Sequence, residues 1–343
     1  MSFPFVAGVV TAQLAGRGTG LAAASCLSIA ILLIICAISR KRCLPPLLLL
    51  FFALGAFCSW TEAIAGRPAP AAPFSGALDS LEAAIRNAGF WGENSPAIIT
   101  ALLTGRRSGL PRSTVDAFRS SGASHILALS GLHLGIIYLF LCRLLGWLGN
   151  APPARLLRSV AVIAACAFYA LLTGAGPSIT RAFLFIVINE ISRALSGRRH
   201  SPLATFSIAL TVQLAVHPSL VASAGFQLSY LAMLGITVLF PVLESWYPAG
   251  HRADPVRRIW SAAALSISCQ LSTAPAAWWH FRSLPRYFLI TNLLALPLAE
   301  AIIVLALVTL LLGAAGICPP ILPRVCGMAV ELLEFCLKAI SSL

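Results

Sequence analysis

The run SGASHILALSGLHLGII, residues 121–137, sets Ser130 and His133 three residues apart and places His125 eight residues before His133. A hydroxyl beside an imidazole is how hydrolases build a nucleophile and its base, and two imidazoles are the start of a metal site. Neither chemistry is completed here. No acidic residue in the run orients the imidazole, as a triad requires. The histidine spacing is eight rather than four, and the chain has no HExxH motif. No catalytic residue, metal or cofactor is therefore expected. What remains is a polar stripe. On a helix of about 3.6 residues per turn, His125, Leu129 and His133 drift slowly round one side, with Ser130 a turn from His133. Gly131 and Gly135 fall on another face as a GxxxG pair that admits a close neighbour. At membrane depth such a stripe needs a protein or water partner. A neighbouring helix would meet that need as well as a solute path would.

Three further runs carry polar or broken positions. In LLTGAGPSITRAFLF, residues 171–185, Gly174, Gly176 and Pro177 interrupt one helix and Ser178 is placed to cap the next. The new helix N-terminus and Arg181 would favour an anion; a tight turn with Arg181 reaching lipid headgroups is the plainer reading. In AGFQLSYLAMLGI, residues 224–236, Gln227 and Ser229 are polar inside an apolar run, as interhelical hydrogen bonding also requires. In ITNLLALPLAEAII, residues 290–303, Asn292, Pro297 and Glu300 share one long apolar segment. Pro297 is expected to kink or break it. Glu300 is the carboxylate placed deepest in such a segment, and an intramembrane acid is a functional site by default. Glu190 and Arg193, three apart, would neutralise each other.

The elements that must position these residues follow from composition. Of 343 residues, 59% are hydrophobic and only 10% charged, which excludes a soluble enzyme, a disordered chain and a disulfide scaffold. The ten cysteines form no CxxC pair and read as small buried hydrophobes. A spanning helix takes about 20 apolar residues. Apolar segments lie near 4–16, 20–39, 44–60, 124–148, 157–175, 179–196, 203–216, 221–242, 260–279, 287–313 and 322–341. The fold class expected is all-α: a polytopic transmembrane helix bundle of about 9–11 spans with short amphipathic surface helices.

The net charge is +13. Basic clusters at Arg40–Arg42, Arg155/Arg158, Arg198/Arg199 and Arg252/Arg257/Arg258 follow alternate segments. That puts all four on one side, the cytoplasmic one by the positive-inside rule. The N-terminus, which lacks the basic head of a cleaved signal, is then inside. Residues 61–123 are outside, with a Pro/Ala spacer and an amphipathic helix carrying Leu78, Leu81, Ala84 and Ile85, expected to lie on the membrane surface. Arg106, Arg107, Arg112 and Arg119 fall in this outer stretch. Three parts are expected: N-terminal membrane helices over 1–60, an outer linker with amphipathic helices over 61–123, and a membrane channel domain over 124–343.

The 121–137 run resembles the signature of the ComEC family, matching at Gly122, His125, Ala128, Ser130, Gly131, Leu132 and His133. The resemblance continues in order through LLTGRRSGLP before it, then TGAGPSITRA, the stretch Pro218–Ile236, and the run from Asn292. It implies a multi-pass protein of the bacterial inner membrane, a channel passing single-stranded DNA into the cytoplasm during natural transformation. The implied partners are single-stranded DNA, membrane lipids, a separate nuclease and other DNA-uptake proteins. Larger members carry an OB-like and a metallo-β-lactamase-like domain. This sequence has no HxHxDH motif, so an enzyme is not expected. A transporter of a smaller solute on the same scaffold is the alternative, and a membrane hydrolase using Ser130 and His133 is the weaker one. Along the translocation path the resemblance and the residue types together place His125, Ser130, His133, Ser178, Arg181, Gln227, Asn292 and Glu300, with the outer arginines at its mouth.

Overall fold

The structure, a computed structural model, describes residues 2–15, 29, 44–65, 74–149, 151–196, 201–247 and 254–342. Among them are fourteen α-helices and no strand. Four helical stretches are long and apolar enough to cross a membrane: Gly131–Leu148, Pro153–Leu172, Ala224–Ser245 and Phe288–Ala314. The chain is an all-α membrane protein. The apolar segment read at 20–39 lies outside the described residues.

Contacts gather the chain into two compact units that cut across the three stretches read from sequence: Met1–Pro70 with Arg198–Tyr230, and Ala71–Gly197 with Leu231–Leu343. The first unit holds α1 (Ser2–Ala15), α2 (Leu44–Ala65), α10 (Pro202–Val216) and the start of α11 (Ala224–Ser245). Helices α1 and α2 meet backbone to backbone. A Cβ on Gly8 would strike the Phe52 carbonyl, and one on Gly55 the Phe5 carbonyl. Small residues at a crossing are how apolar helices gain van der Waals contact where no hydrophobic drive separates protein from lipid. Glu62 on α2 accepts from the backbone N–H of Ser219 at 2.7 Å and from its hydroxyl at 2.6 Å. That holds the short 3₁₀ turn at Pro218–Ala222.

The second unit contains α3 (Ser75–Asn87), α4 (Ser95–Thr104), α5 (Arg112–Ser120), α6 (Ser124–Leu127), α7 (Gly131–Leu144), α8 (Pro152–Leu172), α9 (Pro177–Ser196), the rest of α11, α12 (Pro255–Phe281), α13 (Phe288–Ala314) and α14 (Ile321–Ser341). One core joins Ile85, Ile98, Leu102 and Phe118 to Ile302 and Ile303 of α13 and Leu333 of α14. This adds a protein partner to the amphipathic helix read in the outer stretch. The apolar face of α3 is partnered by protein: Leu78 and Ile85 are buried. A second core packs Leu134 of α7 against Val162 and Cys166 of α8 and Ile179 of α9.

Pro297 does not break its helix. Helix α13 runs 27 residues through it. A proline removes one donor, and the flanking Ala295, Ala299, Ile302 and Ile303 are clasped in the core. By contrast Gly174, Gly176 and Pro177 do separate two helices, as read: α8 ends at Leu172 and α9 begins at Pro177.

Candidate functional site

The segment that carries the histidines is not one helix. Helix α6 stops at Leu127, Ala128 and Ser130 are extended, and α7 starts at Gly131. His125 and His133 therefore stand on different helices, which corrects the single polar stripe. The cause is local. Ser130 Oγ accepts from the Leu132 N–H at 3.2 Å. His133 Nδ1 takes the Ser130 N–H at 3.2 Å and lies 2.9 Å from Ser130 Oγ. This is a capping box in which histidine fills the place usually held by Glu or Gln. It closes orphan N–H groups at the helix start. Both side chains of the Ser–His pair thus also serve the backbone, as a helix cap does. A ring nitrogen that accepts from an N–H carries no proton, so the proton of neutral His133 sits on Nε2.

Three other elements hold the interrupted segment. Arg107 Nε donates to the Leu127 carbonyl at 3.3 Å, and Leu129 packs over Gly105. The Thr291 hydroxyl on α13 donates to the buried Ser121 carbonyl at 2.7 Å. The third hold is α9. A Cβ on Gly131 would lie 3.0 Å from a guanidinium nitrogen of Arg181, 3.1 Å from the Ala182 Cβ and 3.7 Å from the Ser178 carbonyl. The glycine lets the first turns of α7 and α9 touch. Gly135 does not share this role: a Cβ there would meet nothing within 4 Å. Ser178 lies within the first turn of α9 rather than at its cap, since the helix starts at Pro177.

The structure thus brings Ser130, His133 and Arg181 together. His125 is exposed, with Nδ1 3.1 Å from the Gly122 carbonyl. Asn292 follows Thr291, and its Oδ1 is buried without a hydrogen-bond partner, an unusual state for a buried acceptor. Glu300 is exposed on α13. Gln227 belongs to the other unit, where its amide donates to the Val221 carbonyl at 2.8 Å. A shallow surface dip between α5 and α14 is lined by Thr114, Phe118 and Glu334 and by none of the sequence-predicted path residues.

The arginines expected on the outer side differ in freedom. Arg106 is bound by Asp79 at 2.7 Å and Glu82 at 3.0 Å. The Asp79 bond, then Glu82, raises its pKa above the ordinary guanidinium value. Arg107 is exposed but tied to Leu127 O, while Arg112 and Arg119 are exposed on α5.

A second polar cluster was underread from sequence. Glu190, 5% exposed, accepts from the Tyr138 hydroxyl at 2.6 Å, the Ser159 hydroxyl at 2.6 Å and Arg193 at 2.9 Å. Arg193 also donates to the Tyr138 oxygen at 3.0 Å. The ion pair was expected. Tyr138 and Ser159 were missed, although both are polar positions inside apolar runs.

Comparison with known proteins gives a family model described as Competence protein, which matches residues 102–343. The chain is similar to "ComE operon protein 3" of Bacillus subtilis, 26% identical over 204 residues, 60% of this chain and 25% of that protein. It is 31% identical over 176 residues to "Competence protein ComA" of Neisseria gonorrhoeae, 50% of this chain and 25% of that one. A third relative is "Uncharacterized protein YcaI" of Escherichia coli, 27% identical over 214 residues, 61% of this chain and 28% of that one. The matched stretch spans about a quarter of the length of these relatives. No solved structure matches.

Proposed function

Because the chain belongs to the Competence protein family, we propose that it forms the membrane path by which single-stranded DNA enters a bacterial cell in natural transformation, seated in the inner membrane. The observation that carries this reading is the interrupted helix at Ala128–Ser130. A break in an otherwise apolar helix is tolerated at membrane depth where it faces protein or water. Supporting it, the capped start of α7 and the Arg181 guanidinium beside Gly131 stand at the break, and Thr291 of α13 holds the Ser121 carbonyl ahead of it. A cation beside a helix start suits a phosphodiester chain, whose affinity for protein is chiefly electrostatic. The exposed Arg112 and Arg119 would draw the strand toward it. The reading gives this chain a transport step and no catalytic one, with degradation of the complementary strand left to a nuclease acting alongside.

The test is a transformation assay with labelled DNA in a deletion strain, scoring surface binding and internalisation separately. His133→Ala is expected to insert normally, bind DNA at the cell surface and internalise none. Normal transformation by that variant would overturn the reading.

A further inference from the structure

Helix α12 ends in a cluster that lies between the short motifs at Pro218–Ile236 and Asn292. Trp278 is 51% exposed, Trp279 72% and Phe281 59%. Arg282 and Arg286 follow, both exposed. The Arg282 guanidinium lies over the Trp279 ring, 5.8 Å from its centroid. Arg282 also closes the helix in the left-handed conformation, φ 53° and ψ 24°, its N–H bonded to the Trp278 carbonyl. Glycine is the residue that region favours, so an arginine there holds its place against the backbone preference.

We infer that the end of α12, from Trp278 to Arg286, is a stacking platform for single-stranded nucleic acid, with bases on the indoles and phosphates on the arginines; this rests on the DNA-path reading above. Base–aromatic stacking beside cations is how strands are held without regard to sequence. Charge complementarity selects this occupant. No carboxylate occurs between Asp254 and Glu300 in the chain, and among the described residues no ion pair is made to Arg282 or Arg286. Position supports it too. Pro285 sits against Gly122, and the Gly122 carbonyl is bonded to His125, so the platform adjoins the interrupted helix. Along α12, Arg258 and Arg282 are about 36 Å apart at 1.5 Å per residue. If Arg257 and Arg258 anchor the cytoplasmic end, Arg282 and Arg286 stand where the positive-inside rule gives no reason for cations.

An interfacial aromatic belt anchoring the helix in lipid headgroups is the rival occupant, and the experiment separates the two. The full chain in nanodiscs is titrated with fluorescent oligo-dT over a salt series. Trp279→Ala is expected to weaken binding about tenfold. Arg282→Gly relieves the left-handed strain and should fold at least as well, yet lower the salt slope by about one. Indole fluorescence from Trp279, taken as the difference from Trp279→Phe, should be quenched by oligo-dT and little by brominated lipid. Unchanged binding in both variants, or quenching by brominated lipid that oligo-dT does not relieve, would overturn the platform. Either result leaves the His133→Ala internalisation test standing, so the two readings fail separately.

Discussion

Helices α7 and α9 lie side by side, packed through Leu134 and Ile179, and two points between them stand out. Gly131 touches the Ser178–Ala182 turn, and Tyr138 reaches Glu190, so the two helices run parallel, joined by α8. The meeting points are about 10 Å apart along α7, and their chemistry differs. At the Glu190 end both carboxylate oxygens are taken, by Tyr138 and Arg193 on one and Ser159 on the other. At the Ser130 end the backbone is broken and a guanidinium crowds a glycine. A closed network specifies a packing. A broken backbone segment, held by side chains of other elements, is where a solute path is tolerated in an apolar bundle. The lesson is that polarity inside an apolar bundle is no functional signal until its hydrogen bonds have been counted.

If that contrast holds, the largest loss of stability comes from the closed end. Glu190→Ala leaves Arg193 and two hydroxyls without their acceptor. Breaking a buried pair costs about 3–5 kcal/mol. The Arg193 side chain is 36% exposed, so screening lowers the expected loss to about 2–3 kcal/mol. Thermal unfolding in detergent should show it, and DNA internalisation should fall only as far as the amount of folded protein does. A Glu190→Ala protein with an unchanged melting temperature and no internalisation would break the contrast, because the closed cluster would then be acting on solute.

Much of this was legible in the sequence, and the remainder failed for identifiable reasons. Apolar runs punctuated by Arg gave the all-α membrane class, and TGAGP gave the break before α9. The break before α7 was hidden because Leu127, Ala128 and Leu129 are good helix residues. Only the Ser130–His133 spacing marks a cap, and histidine at that place is not the usual partner. The burial of α3 and α4 was hidden because it depends on Ile302, Ile303 and Leu333, roughly 200 or more residues away in the chain, which no local period encodes. Glu190 found Arg193 within one turn, but its other partners lie 52 and 31 residues off.

Gly131→Val sharpens the comparison from the open end. Its added atoms would press on Arg181 and Ala182, and overpacking of this kind costs about 1–3 kcal/mol. Gly135→Val, where no atom stands within 4 Å, should change the melting temperature little. Equal losses at both glycines would mean that the contact between α7 and α9 is not made at Gly131. Smaller still, Ser130→Ala removes the cap and should cost about 1 kcal/mol, with Ser130→Asn restoring most of it. Internalisation by Ser130→Ala should nevertheless drop out of proportion to that loss, since the cap sets where the broken segment points. A loss of uptake matched to the stability change would reduce Ser130 to a structural residue.

The smallest stability effects belong to the outer arginines, and there the comparison turns on charge alone. Arg106 already faces Asp79 and Glu82, so its replacement by alanine removes only an exposed, solvent-screened ion pair. It should leave the salt dependence of DNA binding where it was, because a cation neutralised by two carboxylates displaces few counterions from a phosphate. Arg112 and Arg119 are exposed and bear no ion pair among the described residues. Alanine at either should leave the melting temperature unmoved and reduce the slope of log affinity against log salt by about one. The same slope change for Arg106→Ala as for Arg119→Ala would show that the Asp79–Glu82 clamp opens for DNA, and that the line drawn here between satisfied and unsatisfied groups does not hold at the outer surface.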